Sequence, residues 1–106
     1  MSKARKAKID LPDVKEFTRI LRLMSNPTRM QLLLILSKQE CGLNELCELL
    51  DIPHPSASHH LSLMKMSGLV LDRREGKKVY YTLNREMWDE IWKNFFGSGK
   101  TKGLMS

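Results

Sequence analysis

Two breaks constrain this chain more than any other feature. Asp51-Ile52-Pro53 ends one short helical stretch and precedes another, because proline lacks the N–H that a continuing helix needs and clashes with the turn before it. Arg74-Glu75-Gly76-Lys77 separates two short runs, and in the second of them Val79, Tyr81 and Leu83 alternate with Lys78, Tyr80 and Thr82. Alternation at period two, with a glycine at the joint to take the awkward backbone angle, predicts a β-hairpin. A chain with both breaks sets two short helices directly before a hairpin.

The remaining elements follow from local signals. Val14, Phe17, Leu21 and Met24 recur at helical spacing and predict a first helix over Asp13–Ser25, with Asp13 and Glu16 in the turn where negative charge suits the dipole. Asn26-Pro27 predicts the start of a second helix running to about Lys38, since asparagine caps and proline fits the first helical position. Its stretch Met30–Leu36 is apolar almost all round, which predicts a buried central helix. Gly42-Leu43-Asn44-Glu45 opens a third helix in half a capping-box arrangement, with Leu43, Leu46 and Leu50 toward the core. The fourth runs from about His54 to Ser67; Pro55 is tolerated in its first turn, and Gly68-Leu69 reads as a left-handed cap with its apolar follower. Strands are expected at Leu69–Arg73 and Lys78–Leu83, and a last helix over about Glu86–Phe96.

A chain of 106 residues is expected to form one domain. We assign it to residues 11–97, between a flexible basic arm (1–10) and a flexible tail (98–106), with no internal repeat. No apolar stretch is long enough to cross a bilayer, and no apolar signal core follows the basic Met1–Lys8, so a cytoplasmic location is expected. The formal charge of +6 suggests a polyanionic partner, although charge alone fits a solubilising surface as well. Its placement decides between them.

The element order predicts a mainly α fold with a two-stranded β-hairpin: a winged helix–turn–helix of five helices and a wing. In that arrangement the second helix of the pair enters the major groove and shows its N-terminal half to base edges. Here that half is His54-Pro55-Ser56-Ala57-Ser58-His59, so His54, Ser56, Ser58 and His59 are candidate base contacts. Ala57, Leu61 and Met64 fall on the opposite face. The hairpin is the wing, and Arg73, Arg74, Lys77 and Lys78 cluster around its tip; with Asp72 and Glu75 as the only acids expected nearby, salt bridging does not explain them. Such cations suit phosphates or the minor groove. A solvated basic turn is the alternative, less apt behind a helix–turn–helix. Lys65 and Tyr80 complete the candidate DNA-binding set.

At these residues the chain resembles the ArsR/SmtB family of winged-helix repressors. The likeness runs from about Phe17 to Leu83. It is strongest at Leu23-Met24-Ser25-Asn26-Pro27-Thr28-Arg29, Ser58-His59-His60-Leu61, Ser67-Gly68-Leu69-Val70 and Arg74–Leu83. The resemblance implies a homodimer held by the first and last helices, bound to double-stranded operator DNA with an inverted repeat and released by an effector. Candidate interface residues are Phe17, Leu21, Met87, Trp88, Ile91, Trp92, Phe95 and Phe96; the Trp88, Trp92, Phe95 and Phe96 group is wide for a lone surface helix, which favours an interface over the alternative that it all folds against its own core. The departures matter too. Arsenic-type members carry Cys-x-Cys just inside the third helix, where this chain has Gly42-Leu43-Asn44; Cys47 matches a third cysteine of some of them, and Cys41 lies one place before the first ligand position. Zinc-type members place Asp and His ligands early in the last helix, where this chain has Arg85 and Met87. Pro53 stands where a capping Ser is frequent, and His54 where Gln is common. Neither familiar metal site is intact, and the metal or cofactor, if any, is left unassigned.

Cys41 and Cys47 therefore admit two readings: structural thiols, or a soft-metalloid or thiol-redox sensor, with Cys41 in an entry loop as the more reactive. His54, His59 and His60 fit groove contact and helix packing better than a metal cluster. No phosphate-binding glycine loop, nucleophile motif or acid/base pair suggests an enzyme. A winged-helix protein-interaction module is the rival class, but its outer recognition face should be apolar or acidic, and this one is polar beside a basic wing.

Overall fold

The computed structural model describes residues 14–96. Among them the order is α1 (Val14–Met24), α2 (Pro27–Leu36), β1 (Cys41–Gly42), α3 (Leu43–Leu50), α4 (His54–Met66), β2 (Val70–Glu75), β3 (Lys78–Leu83) and α5 (Arg85–Phe96). The arm at residues 1–10, Asp13 and the tail at 98–106 lie outside the described residues.

Caps fix the boundaries. Asn26 precedes Pro27 in extended backbone, and its Oδ1 accepts from the Arg29 N–H at 3.0 Å. The Gly42 N–H donates to Glu45 Oε1 at 3.0 Å, the expected half capping box of α3. Asp51 takes a left-handed φ of 52° and ends α3, a conformation that Asp tolerates better than most side chains. Gly68 ends the turn after α4 at φ +86°. A side chain there is strained, and its Cβ meets Met87 Sδ at 3.0 Å. Asn84 joins that turn to the last helix: its Nδ2 donates to the Gly68 carbonyl at 2.9 Å and its Oδ1 accepts from the Met87 N–H at 3.3 Å.

The expected two-stranded hairpin is a three-stranded antiparallel sheet in the order β1-β3-β2. β2 and β3 pair from Val70 opposite Leu83 to Glu75 opposite Lys78. The added strand sets Cys41 opposite Tyr81 and Gly42 opposite Tyr80. Two residues are too few to show a period of two, so β1 leaves no alternation in the sequence. It corrects the expectation for Cys41, which lies in this strand and not in an open loop.

The core collects Ile20, Leu32, Leu33, Leu36, Leu46, Ala57, Leu61, Met64, Leu69 and Val70 from both helices and sheet. Burying each of the larger side chains contributes about 1.5–3 kcal/mol. Ala57, Leu61 and Met64 are fully buried: the inner face of α4 is the expected one. α2 differs from expectation at Leu34, which is 56% exposed while Leu32, Leu33 and Leu36 are buried. Even an all-apolar helix packs only as many faces as it has neighbours.

Candidate nucleic-acid interface

α3 and α4 pack against each other as the two helices of the turn, and the α4–β2 contact carries the hairpin beside them. With Ala57, Leu61 and Met64 held in the core, the opposite face of α4 is turned outward. Ser56, His59 and Ser62 are exposed on it, His54 is exposed at the start of the helix, and Ser58 is half-buried. Ser62 extends this polar face and was missed by a reading confined to the first turns of the helix.

His60, next to His59, has a different role. Its Nδ1 accepts from Arg29 Nε at 3.2 Å, and Arg29 Nη1 also donates to the Leu23 carbonyl at 3.0 Å. One guanidinium thus joins the end of α1, the start of α2 and the recognition helix. Burial, then the Arg29 charge, then His59 hold the His60 pKa below its ordinary value, which suits a neutral ring that accepts at Nδ1.

The hairpin cations divide into two groups. Arg74, Lys77 and Lys78 are exposed and make no ion pair among the described residues. Arg73 and Lys65 are engaged. Lys65 Nζ lies 2.9 Å from Asp72 Oδ2. Arg73 donates to Glu40 from Nε at 2.8 Å and from Nη2 at 2.9 Å, approaches Glu75 at 3.7 Å and covers the Tyr80 ring at 4.6 Å. The expectation that Asp72 and Glu75 are the only acids near the wing is therefore corrected. Glu40 is distant in sequence, and the β1–β3 pairing brings its segment to the sheet. Tyr80 lies half-buried under Arg73. Beside it a cleft of about 250 Å³ opens between the start of α3 (Gly42, Asn44) and the wing (Lys77, Lys78, Tyr80).

The candidate interface side chains also separate. Phe17 is half-buried and Leu21 is 49% exposed on α1. On α5, Ile91 is buried in its own core, with Met87 and Trp88 packed against that core, and Trp92 is half-buried. The aromatic face is thus partly covered within one chain. Phe95 and Phe96 have their side chains outside the described residues. Among the described residues, the Trp88 indole N–H is buried without an acceptor.

Cys41 is fully buried, and its Sγ lies 3.7 Å from Gln39 Nε2. Cys47 is buried as well, and burial followed by the Glu48 charge pushes its thiol pKa up. Buried thiols of this kind are poor nucleophiles, and the greater reactivity expected of Cys41 does not fit its burial. Arg85 and Met87, at the positions of the zinc-type ligands, serve packing: Arg85 donates to the Ser37 carbonyl and Met87 lies against Gly68. No cluster of three or more His, Cys, Asp or Glu side chains that could hold a metal ion occurs among the described residues. No helix among them is long and apolar enough to cross a membrane.

Comparison with known proteins places these features. Residues 26–71 match the bacterial regulatory protein, arsR family. The arsenical resistance operon repressor of Escherichia coli is 37% identical over 82 residues, covering 70% of each chain. The HTH-type transcriptional regulator KmtR of Mycobacterium tuberculosis is 39% identical over 67 residues, which are 63% of this chain and 52% of KmtR, so the chain spans about half of that relative. Among solved structures, HlyU from Vibrio cholerae superposes with a TM-score of 0.66 at 28% identity, over 76% of this chain and 92% of HlyU.

Proposed function

Because the chain belongs to the arsR family of bacterial regulatory proteins, we propose that it is a cytoplasmic transcriptional repressor, without enzymatic chemistry, that binds an inverted-repeat operator as a homodimer and leaves it when an effector binds. One observation carries this reading. The polar outer face of α4 lies beside a hairpin whose Arg74, Lys77 and Lys78 have no acidic partner among the described residues.

The two surfaces divide the work. His54, Ser56, Ser58 and His59 present short donors and acceptors, which read base edges in the major groove. Arg74, Lys77 and Lys78 neutralise phosphates, which fixes register and adds affinity without sequence information. Lys65 and Tyr80 flank this surface, each engaged in contacts of its own.

Two recognition helices related by a twofold axis need half-sites about one DNA turn apart, ~34 Å. α1 and α5 supply the contact between protomers, through Phe17, Leu21 and Trp92. Effector release requires an effector that favours the state unable to bind DNA. The burial of Cys41 and Cys47 supports structural thiols over a thiol trigger.

The test is binding to a selected inverted-repeat duplex against random duplex, across a range of salt concentrations. Preference for the repeat, with affinity falling steeply as salt rises, is the expected outcome. Equal, salt-independent binding to both duplexes defeats the reading.

A further inference from the structure

Arg73, Tyr80 and Gly42 lie in one line across the sheet. Arg73 of β2 is the register partner of Tyr80 in β3, and Tyr80 is the partner of Gly42 in β1. Glu40 immediately precedes β1, on the far side of the central strand from Arg73. To reach it, the Arg73 side chain crosses the middle strand, which is why its guanidinium lies over the Tyr80 ring at 4.6 Å. At the far end it meets Glu40 with the two parallel bonds that arginine makes and lysine cannot. Nε and Nη2 are taken by Glu40, Nη1 faces Glu75, and one face of the plane is covered. A phosphate can claim the Nε–Nη2 edge of this guanidinium only by displacing Glu40, and at Nη1 it meets the Glu75 carboxylate.

From this we infer that Arg73 is a positioning residue and not a phosphate contact. It clamps the outer strand of the wing to the segment that enters β1 and α3, and so sets where the wing stands relative to the recognition helix. The inference rests on the DNA-binding reading above. It assigns Glu40, an acid on a protein that binds a polyanion, a favourable role: Glu40 holds the wing in place. β1 runs straight into α3 at Leu43, so the clamp adds a tie between the wing and the helix pair to the α4–β2 and α3–β3 contacts. The cations Arg74, Lys77 and Lys78, unpaired among the described residues, are then carried on a hairpin that is fixed across all three strands one register pair before Arg74.

The test compares operator affinity and its salt dependence in the full chain for Arg73→Lys, Arg73→Glu, the exchange Arg73→Glu with Glu40→Arg, and Lys77→Ala as the phosphate reference. Arg73→Lys keeps the charge but loses the fork, and is expected to weaken operator binding about fivefold, the scale of one exposed pair, with the salt slope unchanged. Arg73→Glu weakens it further, and the exchange recovers most of that loss because the pair is restored in reverse. Lys77→Ala lowers the slope by about 0.9. The clamp is overturned if Arg73→Lys binds as wild type, since the fork to Glu40 needs arginine, or if the exchange binds no better than Arg73→Glu, since the reversed pair would then hold nothing in place. If Lys77→Ala leaves the slope unchanged as well, the DNA-binding reading itself fails, a result distinct from failure of the clamp. The side chains of Arg73 and Glu40 are partly exposed, so the variants fold, which circular dichroism checks.

Discussion

Arg29 donates its Nε–H to His60 Nδ1 at 3.2 Å, and through its Nη1 holds the Leu23 carbonyl at 3.0 Å. The bond requires an unprotonated Nδ1, because an imidazolium nitrogen has no lone pair to offer. It ties α4, the proposed DNA-reading helix, to the junction of α1 and α2, from which the proposed dimer contact extends.

Stability should fall with acid through this pair. His60 has its folded pKa lowered from 6.5, first by burial, then by Arg29 and His59. A lowered histidine pKa means that the unfolded chain binds the proton more readily. The contribution is therefore complete above about pH 6.5 and is lost as pH falls toward the folded value. His60→Asn keeps a short acceptor without a titrating ring. Urea unfolding between neutral and acid pH should show the wild type losing stability faster than this variant as pH drops. Parallel curves for the two proteins would remove His60 from the acid response.

The recognition and wing residues should separate by the kind of affinity they carry. His59→Ala removes an exposed side chain from the outer face of α4 and should cost about 1–3 kcal/mol on operator DNA, with little effect on random duplex. Arg74→Ala should weaken both duplexes alike and lower the salt slope by about 0.9. Fluorescence anisotropy on both duplexes at several salt concentrations reads both effects. An Arg74→Ala protein that loses only operator binding would move that arginine from phosphate to base contact.

Much of this surface was legible in the sequence, and the reason is physical. Asn26, Gly68 and Gly76 act through the backbone of their own turns, and Ala57, Leu61 and Met64 lie one helical turn apart, so neighbours in sequence carry the signal. What escaped depends on long-range pairing. Glu40 meets Arg73 only because a two-residue strand joins the sheet, and Arg29 meets His60 only after α2 and α4 pack. Nothing near either residue marks its partner. Leu34 misled for a related reason: composition shows that a helix is able to be buried on every side, but not how many sides find a neighbour.

The proposed dimer should break without loss of the fold. Leu21 is half exposed on α1, so Leu21→Glu removes little from the core of one chain. It should give folded monomers in sedimentation, with weakened operator binding because two linked half-site contacts become independent. Ile91→Ala is the contrasting variant. Ile91 is buried in its own core, so its truncation should lower stability by about 2–5 kcal/mol. A Leu21→Glu protein that stays dimeric would move the interface away from this face of α1.

The cysteines should prove structural. A thiol trigger needs an accessible thiolate, and Cys41 is fully buried in a strand paired to β3, while burial holds the Cys47 thiol in its protonated form. Gly42, which an entry loop would leave free to let the two sulfurs approach, is in register with Tyr80. Bridging the sulfurs would require their α-carbons within about 7 Å and would join the strand paired to β3 directly to α3. Arsenite and mild thiol oxidants should therefore leave operator affinity unchanged over the time of a binding measurement. Cys41→Ser should bind operator normally but lose about 1–3 kcal/mol of stability, the scale for burying a hydroxyl without full hydrogen bonding. Loss of operator binding by the wild type on arsenite treatment, abolished in Cys41→Ser, would show that β1 opens readily and that the buried thiol is the sensor.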